Sequence, residues 1–128
     1  MRLLLDTHIF LWFVGGDKKL AVALREVISD PQNEIFLSVV SLWEMIIKYQ
    51  LGHLPLPQPP ELYVPTQRRR LRIGSLLVDE GSVSQVAKLP PLHRDPFDRL
   101  LIGQAIEHGL KLVTVDTSIR SYPSAPVF

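Results

Sequence analysis

Four acidic residues far apart along the chain are the ones whose types and surroundings could do chemistry: Asp6, Glu44, Asp98 and Asp116. Asp6 follows Leu3-Leu4-Leu5 and shortly precedes the apolar run Ile9 to Val14. A carboxylate flanked in this way tends to be enclosed, and enclosure is costly unless it is paired, hydrogen-bonded or metal-bound. Glu44 is the only acid in a long apolar stretch, Asp98 falls in the first turn of a helix opened by Asp95-Pro96, and Asp116 ends the apolar run that begins at Leu110. Gathered on one rim and uncompensated, the four would repel one another and some would take up protons. A divalent cation removes that conflict, and an all-oxygen donor set suits Mg²⁺ or Mn²⁺ rather than zinc. Such an ion polarises a phosphoryl oxygen and generates hydroxide near neutral pH, which is the chemistry of phosphodiester hydrolysis.

Each acid also has a local explanation. Asp6 is a common residue type at a strand-ending turn. Ser41-Leu42-Trp43-Glu44 matches a capping box, with Glu44 reaching back to the Ser41 amide. Asp98 at the third helical position would gain about 0.3–1 kcal/mol from the helix dipole. That reading is compatible with a metal ligand, which must be ionised. Asp116 could cap a short terminal helix. Other chemistry is weakly represented. His8, His53, His93 and His108 have no HExxH or similar spacing, Gly15-Gly16 is followed by no GK[ST], and no GxSxG elbow occurs. The absence of cysteine excludes thiol catalysis, Cys-ligated zinc, iron–sulfur clusters and a disulfide scaffold. Arg68, Arg69, Arg70 and Arg72 read first as a solvated helix face and second as phosphate contacts. Trp12 and Trp43 read as core or interface residues rather than base-stacking platforms.

The elements that must position these groups follow from periodicity and punctuation. Leu3 to Leu5 reads as a buried strand, then a short helix from His8 to Val14 capped by Thr7 and closed by Gly15-Gly16. Asp17 is placed to cap a helix over Lys18 to Ser29, where Leu20, Leu24, Val27 and Ile28 recur with helical period. Glu34 to Ser38 reads as a strand and Leu42 to Leu51 as a helix closed by Gly52. That helix is apolar around most of its circumference, so it is either central or a candidate self-association or partner surface. Pro55, Pro57, Pro59 and Pro60 mark a connector inside one domain rather than a boundary. A weaker helix from Glu61 to about Leu71, a strand at Ser75 to Val78 and a helix from Asp79 or Ser82 to about Lys88 come next. Pro96 to His108 is a strong helix with Gly109 after it, and Leu110 to Val115 is the clearest strand. Strands alternating with helices point to a mostly parallel sheet. In such sheets ligands sit beyond the carboxyl ends of the strands, where Asp6 and Asp116 fall.

The 128 residues carry a formal net charge of +1 and are 46% apolar, which fits one domain with a sizeable core and excludes a disordered chain. Near-neutral charge requires any nucleic-acid contact to be a local patch. No apolar run approaches the roughly 20 residues of a membrane span, and Asp6 breaks the first run too early for a signal peptide, so a cytoplasmic location is expected.

Leu4-Leu5-Asp6-Thr7-His8, Ser41-Leu42-Trp43-Glu44, His93-Arg94-Asp95-Pro96-Phe97-Asp98-Arg99 and Leu112-Val113-Thr114-Val115-Asp116, in this order over nearly the whole chain, resemble the PIN domain, and most nearly its bacterial VapC-like ribonuclease toxins. The resemblance implies a three-layer α/β/α sandwich and a ribonuclease whose acidic cluster binds Mg²⁺ or Mn²⁺. By motif, Asp6, Glu44, Asp98 and Asp116 match the family acids, Thr7 and Thr114 match the polar residues beside them, and Ser118 is a further candidate. It also implies a co-transcribed antitoxin partner and a homodimer. On this reading Arg68 to Arg72, with Arg94 and Arg99, are candidates to hold the RNA backbone. Two other readings stay open: a PIN-like module that binds RNA or protein without cutting, and an aspartyl-phosphate phosphotransferase. The second needs another Asp two residues after Asp6, where the chain has His8.

Overall fold

The computed structural model describes the whole chain, Met1–Phe128. Four strands, β1 (Arg2–Leu5), β2 (Glu34–Ser38), β3 (Gly74–Leu76) and β4 (Lys111–Val113), form a sheet of order β3-β2-β1-β4. Every pairing is parallel, with Leu5 opposite Leu37 on one side and Val113 on the other. Seven helices complete the chain: α1 (Thr7–Gly15), α2 (Val22–Ser29), α3 (Val39–Gln50), α4 (Pro60–Leu71), α5 (Glu80–Val86), α6 (Pro96–His108) and α7 (Thr117–Arg120).

Strand alternation divides the core. Leu3 and Leu5 point to one face of the sheet, where Ile9, Phe10, Ile28, Met45 and Val64 from α1 to α4 cover them. Leu4 points to the other face, against Leu101, Ile102 and Ala105 of α6 and Ile119 of α7. Both faces are therefore covered, which is why β1 reads as an unbroken apolar run rather than an alternating one. The result is the expected α/β/α sandwich. No helix is long and apolar enough to cross a membrane.

Most elements form where the sequence places them, and α6 begins and ends at the expected residues. Its Asp95 cap accepts from the amides of Phe97 and Asp98, and Gly109 takes φ 64° at its end. Four local expectations are corrected. Asp6, not Thr7, caps α1, accepting from the Thr7 amide. Asp17 does not cap α2: it accepts from the Lys19 amide in a separate turn, and the helix starts only at Val22. The helix α3 starts three residues early, because Ser38 supplies the cap by accepting from the Val40 amide. Ser41 thus lies inside α3, and no Ser41–Glu44 capping box forms. The outer strands are also shorter than expected. The one at Ser75 to Val78 spans Gly74–Leu76, and the one at Leu110 to Val115 spans Lys111–Val113.

Candidate active site

The parallel topology brings the carboxyl ends of β1 and β4 side by side. The ladder runs one residue past β1, with the Asp6 amide donating to the carbonyl of Val113, the last residue of β4, at 3.0 Å. Asp6 and Thr114 are therefore neighbours, and Thr114 Oγ1 donates to Asp6 Oδ2 at 2.8 Å. The Thr7 amide donates to Asp6 Oδ1 at 2.7 Å. Both oxygens of this nearly enclosed carboxylate, 5% exposed, are thus engaged. Burial pushes its pKa above the ordinary value, while the Thr114 and Thr7 hydrogen bonds pull it back.

Glu44 reaches the same rim from the second turn of α3. Thr7 Oγ1 donates to Glu44 Oε1 at 2.7 Å and lies 2.9 Å from the hydroxyl of buried Ser41. The other Glu44 oxygen meets Lys48 Nζ at 3.0 Å. Asp116 follows β4, accepts from the Ser118 amide at 2.8 Å and donates its own amide to Thr114 Oγ1 at 3.0 Å. Ser118 therefore touches Asp116 through its backbone. Asp98 stands in the first turn of α6, and its pKa is pushed up to about 7. Burial is the main cause, followed by repulsion from Asp95, Asp6, Asp116 and Glu44. Asp6, Asp116 and Glu44 thus all lie within electrostatic reach of Asp98. They do not form a finished cage, since no three acidic or imidazole side chains stand close enough to hold one ion. The donor set is all oxygen, which fits a hard divalent cation.

The arginines divide. Arg94 is exposed in the loop just before the α6 cap. Arg99 points inward, donating to the carbonyls of Pro90 (2.9 Å), Val86 (3.3 Å) and Leu89 (3.4 Å) and to the Tyr122 hydroxyl (2.9 Å). Both terminal nitrogens are taken by the protein. Arg68, Arg69 and Arg70 close α4, and Arg72 follows it at φ 58°. That puts them at the amino-terminal end of the sheet, away from the acids. Arg70 and Arg72 help line a cavity of about 650 Å³ there, with Asp30, Glu34, Phe36 and Gly74, and none of the four acids lines it. The carboxylates that could drive hydrolysis are at the other end.

Three participants were not singled out from sequence: Ser41, Lys48 and Asp95 as a source of repulsion on Asp98. Lys48 had a signal, because it lies four residues after Glu44 on one helix face. Ser41 stood in the Ser41-Leu42-Trp43-Glu44 motif, but it read there as a helix cap, because its contact with Thr7 depends on which residue starts α3.

The PIN domain family model matches residues 3–124. The chain belongs to the PIN domain family. Ribonuclease VapC22 of Mycobacterium tuberculosis is 27% identical to this PIN domain over 119 residues, 93% of this chain and 90% of that protein. Ribonuclease VapC16 of the same organism is 46% identical over 57 residues, a match that spans 44% of this chain and only 40% of that protein. Among solved structures, the crystal structure of VapBC2 from Rickettsia felis bound to a DNA fragment from its promoter superposes with TM-score 0.75 at 16% identity, covering 100% of this chain and 98% of that one. At that identity the likeness concerns the fold.

Proposed function

We propose that this PIN domain, taken as a single domain over residues 1–128, is a metal-dependent endoribonuclease and the toxin of a toxin–antitoxin pair. The observation that carries the reading is Asp98, half-buried among Asp6, Glu44 and Asp116 on the carboxyl rim of a parallel sheet. Family membership and the ribonuclease names of both relatives support the same substrate class. Asp6, Asp98 and Asp116 would hold Mg²⁺ or Mn²⁺, and Glu44 would complete the set as a ligand or by orienting water. When bound, the ion supplies charge stabilisation at the phosphoryl oxygens and lowers the pKa of water.

The chain's own residues do the rest. Thr114 and the Thr7 amide fix the Asp6 carboxylate with one hydrogen bond on each oxygen. Thr7 and Lys48 fix Glu44 from either side. The Ser118 amide holds Asp116. These contacts set the donors before substrate arrives, so less reorganisation is needed at the moment of reaction. Hydrolysis by water needs no covalent enzyme intermediate. Arg94 is the candidate phosphate contact next to the acids. Arg68, Arg69, Arg70 and Arg72 could meet only distant RNA. A cognate antitoxin, self-association as a dimer and a cytoplasmic location are part of this proposal, by likeness to the VapC relatives.

The test is direct. Purified chain is incubated with single-stranded RNA in Mg²⁺, in Mn²⁺ and in chelator. Cleavage is expected only with metal, and Asp6→Asn is expected to reduce it by about 100-fold or more. Cutting in chelator, or undiminished cutting by Asp6→Asn, would refute the mechanism. RNA bound but left intact in metal would make this a non-catalytic module.

A further inference from the structure

Trp43 is 55% exposed and sits on the helix that carries Glu44 to the rim. Its ring meets Phe97 edge to face, with centroids 5.0 Å apart and planes at 79°. Trp43 precedes Glu44 in sequence, and Phe97 precedes Asp98. The contact thus ties the second turn of α3 to the first turn of α6, the turns that carry Glu44 and Asp98. Phe97 braces the indole from one side and leaves much of the ring in water.

Leaving an indole in water forgoes stabilisation, so what covers it matters. A stable protein interface buries about 800 Å² per partner, and a whole Trp side chain supplies at most about 250 Å². The residues one turn away on α3, at Val39, Val40, Ile46 and Ile47, are buried or half-buried, so Trp43 is a lone exposed ring on that helix. Val115, 52% exposed beside Asp116, does not close the gap. A braced flat aromatic surface one residue from a proposed metal ligand instead matches an unpaired base of the strand being cut. Stacking is tolerant of base identity because every base has a π-face.

We propose that Trp43, braced by Phe97, stacks a base adjacent to the scissile phosphate and so sets where the RNA strand lies over the acids. The proposal rests on the ribonuclease reading and revises the expectation that Trp43 belongs to the core or an interface. Arg94, exposed beside the α6 cap, lies where a flanking phosphate of that strand would pass.

The experiment uses a short single-stranded oligoribonucleotide of mixed sequence, with its abasic derivatives at each position. In chelator, a Trp12→Phe background leaves Trp43 as the sole indole. Bound RNA is then expected to quench its fluorescence. One abasic position is expected to weaken binding by about 5- to 100-fold, and that position is expected to have no further effect in Trp43→Leu, whereas Trp43→Phe keeps most of the affinity. In Mg²⁺ the loss in Trp43→Leu is expected mainly in KM. The abasic series needs no variant, so a misfolded Trp43→Leu leaves the question answerable. Unmutated chain that cuts RNA without an abasic-sensitive position or quenching overturns the stacking proposal alone. So does an unchanged KM in Trp43→Leu accompanied by a lower sedimentation mass, which assigns the ring to a protein contact. Unmutated chain that neither binds nor cuts RNA overturns the ribonuclease reading beneath it.

Discussion

Asp6 is the residue on which the rim is organised. An aspartate this enclosed persists because each carboxylate oxygen accepts a hydrogen bond. The Thr114 hydroxyl does two jobs, donating to Asp6 and accepting from the Asp116 amide. Thr114→Val keeps the shape and deletes both. It is expected to cost about 1–3 kcal/mol of stability, because a buried acceptor loses its partner. Activity at limiting Mg²⁺ is expected to fall about 10- to 100-fold, the usual effect of removing a group that orients a ligand. Urea denaturation and a Mg²⁺ titration of RNA cleavage measure the two effects, and a full recovery of rate at high Mg²⁺ would place the defect in ion affinity.

At the scale of elements, α6 must be seated accurately because its first turn carries Asp98. Gly103 in its middle is where α5 comes closest: a Cβ there would meet the Ser82 carbonyl oxygen at 2.5 Å. In an open helix, Gly→Ala gains up to about 1 kcal/mol of propensity. Here the obstacle is backbone, which cannot rotate away, and overpacking typically costs about 1–3 kcal/mol. Gly103→Ala is therefore expected to lower the denaturation midpoint rather than raise it. Arg99 secures the other side of α6 through carbonyls of the segment leading into it and through Tyr122. Arg99→Ala is expected to destabilise by about 2–4 kcal/mol, since charged hydrogen bonds are lost and buried carbonyls are left bare. RNA affinity measured well below the melting temperature is expected to stay the same, and a large loss there would show that Arg99 meets the phosphate backbone after all.

For the molecule as a whole, the clustered acids set how stability varies with pH. Asp98 titrates near pH 7 in the fold against an ordinary 3.8, so between these values the folded chain holds a proton that the unfolded chain has released. The contribution is fully present below about pH 4 and is lost as pH rises through about 7. In chelator, the part of the Tm profile due to Asp98 is expected to decline over that window. Asp98→Asn is expected to flatten the decline and to raise Tm at pH 8, while losing the stabilisation that Mg²⁺ gives the unmutated chain. Thermal melts with and without Mg²⁺ across the pH range decide it. A variant less stable than the parent in chelator at pH 8 would mean that Asp98 is structurally needed rather than strained.

Much of this protein is determined locally. Leu3-Leu4-Leu5 followed by Asp6, the Asp95-Pro96 start and Gly109 stop of α6, and the apolar run before Asp116 are short-range signals, and the helices and strands they specify form nearly where expected. The four acids were legible because each interrupts or borders such a signal. Which residue caps α1 or α3 was decided by contacts the sequence does not display. Ser41 is fully buried against Thr7, 34 residues away, so Ser38 takes the cap instead. Whether an arginine faces RNA or the protein's own carbonyls was equally hidden: Arg94 and Arg99 are five residues apart and point to opposite fates. Periodicity records which face of an element is apolar, but not which neighbour that face meets. That pairing depends on the order and register of the strands, which only the folded sheet fixes.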